Sequence, residues 1–223
     1  MERQVADHVE RGVTIPALDA MLAGDLTVPA GAKGIVLFAH GSGSSRHSPR
    51  NIHVAEELQA GGLATLLLDL LTPSEEAVDL ATKELRFDIE LLGERLTGAI
   101  EWLASQEATH GLPLGLFGAS TGAAGALVAA ARLPDHVDAV VSRGGRPALA
   151  GADLPSVKCP TLLIVGGEDP VVIDLNRQAM ARMTAPVQLE IVPRATHLFE
   201  EPGTLEEVAR LARDWFVGHL RPR

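Results

Sequence analysis

The chain has 223 residues, 46% of them hydrophobic, a formal net charge of −10 and a single Cys. That length fits one α/β domain over residues 1–223, and the apolar fraction supplies a sizeable core, which excludes disorder as a description of the whole. The excess of 29 Asp+Glu over 19 Lys+Arg argues against non-specific nucleic-acid binding and against docking on anionic membranes, both of which need cations facing phosphates. One Cys makes neither an internal disulfide nor a Cys-rich metal site. The N-terminal MERQVADHVERG has no apolar leader core, and the most apolar stretch, Gly122 to Ala131, is too short to span a bilayer. The expectation is a cytoplasmic enzyme or small-molecule binder.

In chain order, Val13–Pro16 and Leu26–Pro29 read as short opening strands with a turn region between them. Gly34–Ala39 is a continuous apolar run, as in a strand buried on both faces. Pro49 to Ala60 reads as a helix, with Pro in its first turn and Gly61-Gly62 as its stop. Leu63–Asp69 is a second buried strand, and Thr72 to Leu85 reads as a short polar connection. From Arg86 to Ser105, Ile89, Leu92, Leu96, Ile100 and Leu103 recur at helical spacing. Strand Leu114–Phe117, helix Ser120–Leu133, strands Val137–Ser142 and Thr161–Val165, helix Val172–Met183, strand Val187–Val192 and helix Thr204–Leu220 complete the series. Such alternation predicts a mostly parallel sheet covered on both faces, with the chemistry beyond the carboxyl ends of the strands. Between Ser142 and Cys159 there is too little chain for a large cap, so the site is expected to be open.

One strand end carries Gly118-Ala119-Ser120-Thr121-Gly122 and runs straight into a helix. This G-x-S-x-G between strand and helix is the setting of a nucleophile elbow, in which a sharp turn exposes the Ser hydroxyl. The helix N-terminus behind it aims free N–H groups at developing negative charge. The plainer reading is a helix N-cap, because Ser caps helices well.

A nucleophilic Ser needs a His to take its proton and a carboxylate to orient that His, and in strand-end elbows the chain order is Ser, acid, His. Asp169 follows the strand Thr161–Val165 in Gly-Gly-Glu-Asp-Pro, with Glu168 as nearest rival and Asp69 as a weaker one. Of the eight His, His197 follows the last strand in a loop before the closing helix, the position such a base takes, while His8, His110, His136 and His219 fall near the terminus or at helix ends. Ser120, Asp169 and His197 are therefore the candidate triad.

After Gly34–Ala39 comes His40-Gly41-Ser42-Gly43-Ser44-Ser45-Arg46-His47. Loops at this place supply one oxyanion-hole N–H and the residue after the nucleophile the other, which points to the backbone N–H groups of Ser42 and Thr121. The loop lacks the G-x-x-x-x-G-K-[ST] of a nucleotide P-loop, and His40, His47 and His53 lack helical zinc-site spacing, so neither metal nor cofactor is expected. His40, Arg46, His47, Arg143 and Arg146 are candidate substrate-binding residues at the rim, with Arg50 beside them. Cations gathered on an acidic protein suit a substrate carboxylate or phosphate; equally, they could pin loops to carbonyls and surface carboxylates. Cys159 reads as a small buried hydrophobe.

The stretches HGSGSSRHSPRN (40–51), LATLLLDLLTP (63–73), LRFDIELL (85–92), GASTGAAGAL (118–127), SRGGRP (142–147), PTLLIVGGEDP (160–170) and ATHLFEEPG (195–203) resemble, in that order, the α/β-hydrolase fold and within it the dienelactone hydrolase-like family. The resemblance extends to a bacterial subgroup also found joined to a phosphoribosyltransferase domain, and no such second domain is read in these residues. It implies an esterase or lactonase reaction through Ser120, Asp169 and His197. The best-known dienelactone hydrolases carry Cys where this chain has Ser120, and the subgroup often continues SRGGRP with an acidic residue where this chain has Ala148. Three functions stay open at this point: hydrolysis of small esters or lactones, acyl transfer or perhydrolysis by the same triad, and a non-catalytic binding or regulatory module.

Overall fold

The structure, a computed structural model, describes residues 8–221, with side chains described from residue 11. Residues 1–7, which hold most of the segment read for a leader, and the side chain of His8 lie outside the described residues. Strands and helices follow as β1 (His8–Ala17), β2 (Ala20–Pro29), β3 (Ile35–Ala39), α1 (Pro49–Ala60), β4 (Ala64–Leu68), α2 (Pro73–Thr82), α3 (Ile89–Ser105), β5 (Leu114–Ala119), α4 (Thr121–Arg132), β6 (Ala139–Arg143), β7 (Thr161–Gly166), α5 (Pro170–Met180), β8 (Val187–Val192) and α6 (Thr204–His219). Among the described residues they build one eight-stranded sheet in the order β1-β2-β4-β3-β5-β6-β7-β8. The first two strands pair antiparallel, β2 runs antiparallel to β4, and every pairing from β4 to β8 is parallel.

The parallel strands β3 to β7 are buried on both faces, which is why they read as unbroken apolar runs. Successive side chains leave opposite faces. Thus Ile35 and Leu37 join a core with Leu96 and Leu127 of α3 and α4, while Val36 and Phe38 join another with Leu58 and Phe216 of α1 and α6. Helix α4 is buried along nearly its whole length, as its run of Gly and Ala suggests. The carboxyl ends of β3, β5, β6 and β7 therefore face one edge, where the loops carrying the candidate residues meet. Among the described residues no helix is long and apolar enough to cross a membrane.

The structure corrects three expectations. The opening segment is one long hairpin, with Ala17 paired to Ala20 and a tight turn at Leu18-Asp19. Leu18 has φ 54°, a conformation that Gly or Asn usually marks, so the turn carried no sequence signal. The polar connection after Thr72 is in fact helix α2, started by a capping box in which Thr72 and Glu75 exchange bonds, with Pro73 in the first turn. Only Asp79 of this helix is buried, so no apolar stripe betrayed it. Finally, Leu85–Phe87 is a 3-10 turn, and α3 starts after it with Asp88 accepting from Leu91 N–H at 3.0 Å. Between β6 and β7 lies a 3-10 stretch, Pro147–Ser156, kinked at Gly151, so among the described residues no large cap is inserted at this connection.

Candidate active site

Ser120 sits between β5 and α4 at φ 51° and ψ −119°, a region that residues with a Cβ seldom occupy. The turn is held from both sides. Ser120 N–H donates to Arg143 C=O, and Ser120 C=O accepts from Ala123 and Arg146 N–H, each at 3.2 Å. A Cβ on Gly118 would stand 2.7 Å from Ala123 N, and one on Gly122 would collide with the carbonyl oxygens of Ala39 and His40. Both glycines are thus required by close backbone approach. Ser120 occupies the cap position of α4, yet its side chain makes no capping hydrogen bond. The N-cap reading therefore fails, and the hydroxyl is left for the cavity.

Asp169 ends the turn after β7 and caps α5, with Oδ1 accepting from Val172 N–H at 3.4 Å. Its other oxygen, Oδ2, accepts from His197 Nδ1 at 2.8 Å. One carboxylate thus serves both readings offered by the sequence. That bond leaves His197 Nε2 as the ring's free face. Glu168 is exposed, and its N–H donates to Ala195 C=O; Asp69 is engaged by Arg46. Neither rival meets the imidazole. The His197 loop is pinned by Thr196, whose N–H and hydroxyl donate to Glu201 at 3.0 and 2.6 Å and hold that carboxyl below the ordinary glutamate range. Phe199, at φ 56° and buried, anchors the loop beneath.

Ser120 and His197 line one cavity of about 230 Å³, together with Ser42, Arg50, Asn51 and Arg143. Among the described residues, the hydrogen bond that His197 makes is to Asp169, and none joins it to Ser120 Oγ. Gly41, Ser42, Ser44 and Ser48 also border a larger cavity of about 450 Å³, whose wall includes Leu70, Leu80, Leu92, Glu76, Asp79 and Arg86. The loop 41–48 opens in a turn closed by Ser44 N–H to Gly41 C=O, with Gly43 at φ 68°. A Cβ on Gly41 would stand 3.1 Å from Ser120 Cβ, so this loop lies directly on the elbow. Ser42 and Thr121 are brought together, their hydroxyl oxygens 2.8 Å apart. Neither of their N–H groups donates to an acceptor among the described residues. Two free N–H groups beside Ser120 can receive developing negative charge.

The rim residues separate by their partners. His40 donates from Nδ1 to Gly41 C=O at 2.9 Å and accepts at Nε2 from Leu70 N–H at 3.1 Å. Burial pushes its pKa below 6.5, so the ring is neutral and both nitrogens are spent inside the protein. It borders the larger cavity and at the same time pins the loop, with both ring nitrogens engaged inside the protein. Arg46 is engaged by carboxylates of the protein itself. It is paired with Asp25 and Asp69, ties the loop to β2 and to the end of β4, and lines neither cavity. Arg146 is exposed and also lines neither; its backbone N–H holds the elbow. His47 borders the larger cavity with a 64% exposed side chain. Arg143 alone of the rim candidates enters the wall beside Ser120, joined there by Arg50. Sequence reasoning missed Asn176, whose Nδ2 donates to Gly145 C=O at 3.0 Å and steadies the strand end after Arg143; a buried helix Asn has no local signature.

Among known proteins, the model of the dienelactone hydrolase family matches residues 18–216. Two Mycobacterium tuberculosis proteins, from strains CDC 1551 / Oshkosh and ATCC 25618 / H37Rv, are each 60% identical over 208 residues, and their names carry the words phosphoribosyl transferase. The match covers 93% of this chain and 46% of theirs, so the chain spans about half the length of these curated relatives. A crystal structure of a dienelactone hydrolase from Anabaena variabilis ATCC 29413 superposes with a TM-score of 0.94 at 58% identity, covering 96% of this chain and 99% of that one. Est1E from Butyrivibrio proteoclasticus has a TM-score of 0.78 over 93% and 98% of the two chains; at 14% identity that likeness concerns the fold alone.

Proposed function

The chain belongs to the dienelactone hydrolase family, with an α/β-hydrolase fold, and from that premise we propose that it is a serine hydrolase of small carboxylic esters or lactones. The observation that carries the reading is the 2.8 Å bond from His197 Nδ1 to Asp169, made in the wall of the cavity that holds Ser120. Asp169 fixes the ring with its proton on Nδ1, so Nε2 takes the Ser120 proton as Oγ attacks the carbonyl carbon. The oxyanion that forms is met by the N–H groups of Ser42 and Thr121, worth several kcal/mol because they are aimed at charge absent from the ground state. His197 then protonates the departing alcohol, or in a lactone the ring oxygen, leaving an acyl group on Ser120. Water, deprotonated by the same imidazole, attacks the acyl carbon, and collapse returns the proton to Oγ. The transferase in the relatives' names belongs to proteins more than twice as long, and the chemistry proposed is that of the Ser120 site alone.

A fluorophosphonate probe tests this directly. It should label Ser120, and Ser120→Ala should abolish labelling and lower ester hydrolysis by at least ~10³-fold. Asp169→Asn should fold normally yet reduce kcat by about 10²–10⁴, through loss of tautomer control. Undiminished turnover in Ser120→Ala would refute the proposal, and an equal effect from Glu168→Gln alone would move the acid by one residue.

A further inference from the structure

Helix α2 reverses the usual layout of a surface helix. Val78 and Leu80 are exposed, and the residue it buries is the acid between them, Asp79. The Asp79 carboxylate meets Arg86 twice. Oδ1 accepts from Arg86 N–H at 3.0 Å and Oδ2 from Nε at 2.5 Å, while Arg86 Nη2 donates to Asp79 C=O at 3.2 Å. Burial alone would raise the Asp79 pKa; the bonds from Arg86 outweigh it and hold the carboxyl below the ordinary aspartate range. The 3-10 turn Leu85–Phe87 is thereby tied to α2 through both backbone and side chain. Burying a flanking apolar residue would join helix and turn without taking two charges out of water, so the pair is explained by what else Arg86 touches.

Arg86 reaches from α2 to the loop 41–48. A Cβ on Gly43 would stand 3.2 Å from its Nη1, so the guanidinium lies against that loop. Its C=O accepts from Ser42 Oγ at 3.4 Å. Ser42 Oγ is in turn 2.8 Å from Thr121 Oγ1, and because the single Ser42 hydroxyl proton goes to Arg86, the Thr121 hydroxyl is the donor between them. A line of contacts thus runs from Thr121, the first residue of α4, through Ser42 and Arg86 to Asp79. Ser42 stands between Gly41 and Gly43, so its own backbone holds its N–H direction weakly, and partners from outside the loop must fix it. Thr121 and Arg86 are the partners of its side chain.

Resting on the serine hydrolase reading, in which the N–H groups of Ser42 and Thr121 receive the oxyanion, we propose that Asp79 and Arg86 are positioning residues for that pair. Asp79 sets Arg86, Arg86 C=O seats Ser42 from the α2 side, and the Thr121 hydroxyl holds it from the elbow side. Asp79 and Arg86 border the larger cavity and not the one that holds Ser120, so they act through Ser42. The oxyanion exists only in the transition state, so the line acts on kcat and leaves KM alone. The experiment measures kcat per fluorophosphonate-titrated site on 4-nitrophenyl butyrate. Thr121→Val, Ser42→Ala and Asp79→Asn should each lower kcat by about ten- to a hundred-fold, the cost of a donor displaced rather than deleted. KM should change by less than about threefold, and Thr121→Ser should restore most of kcat. Asp79 and Thr121 do not touch, yet the double variant should be no slower than its slower parent, because a line broken once is already broken. Losses that multiply overturn the proposal, as does an unchanged kcat in Asp79→Asn or a rise in KM alone. If Asp79→Asn does not fold, Arg86→Lys, which keeps the charge and loses the fork, takes its place in the cycle. If the wild type neither turns over ester nor labels, the hydrolase reading fails by itself. The amide resonance of Ser42, followed by NMR, then decides the line: a shift in both Asp79→Asn and Thr121→Val supports it, and an unmoved resonance in Asp79→Asn overturns it.

Discussion

If the elbow stores backbone strain, replacing Ser120 separates that strain from the hydroxyl. At φ 51° and ψ −119° any residue with a Cβ is penalised by about 1–3 kcal/mol, whereas Gly is not. Ser120→Ala removes Oγ and keeps the Cβ, so its strain should remain. Ser120→Gly removes both. Against that relief stands the greater freedom of Gly in the unfolded chain, about 0.5–1 kcal/mol. A contact of the Cβ with the Gly41 turn is also lost, at most ~0.8 kcal/mol and less here because Ser120 is only partly buried. The balance leaves Ser120→Gly more stable than Ser120→Ala by about 1 kcal/mol, or ~2–4 °C in Tm for a chain of this size. Urea melts of both variants, read by circular dichroism and checked by calorimetry, measure the difference, and both proteins should be inactive. If the Gly variant is equally or less stable, the turn is not strained and its geometry must be relaxed by bonds such as Ser120 N–H to Arg143 C=O.

Gly122→Ala should destabilise the fold by about 2–3 kcal/mol and depress turnover, because the added methyl would displace the carbonyls of Ala39 and His40 under the elbow; wild-type melting and activity would refute the close-approach argument. His40 has a folded pKa below its unfolded 6.5, so the stability it carries is complete above pH 6.5 and is lost as pH falls from there through the lowered folded value. His40→Gln should therefore flatten the acid limb of a stability–pH curve by up to ~1.4 kcal/mol per pH unit in that window, and an unchanged slope would assign the limb to other groups. Cys159 is buried with its thiol pKa pushed up to about 12, so a disulfide reagent at pH 8 should modify it only as fast as the protein unfolds; rapid native-state labelling would contradict its burial.

What local sequence determines here is what depends on neighbours along the chain. The buried strands are legible because both of their faces are apolar, and α1 because Pro49 and Gly61 punctuate it. The elbow is legible because Gly118 and Gly122 have no substitute where backbones meet, and the order of Ser120, Asp169 and His197 follows from strand ends feeding one edge of the sheet. The hairpin turn at Leu18 and the surface helix α2 were not legible from apolar pattern, since neither presents a periodic face; only the Thr72–Glu75 cap spoke for the helix. The sequence already set Asp169 ahead of Glu168; what the turn after β7 adds is the contact, with Asp169 Oδ2 against the imidazole and Glu168 exposed. Above all, four arginines looked alike in sequence. Tertiary structure alone gave Arg46 to Asp25 and Asp69, left Arg146 exposed, and enclosed Arg143 with Arg50 beside Ser120. An arginine's role is set by which charges reach its guanidinium, and those charges come from segments far away in the chain.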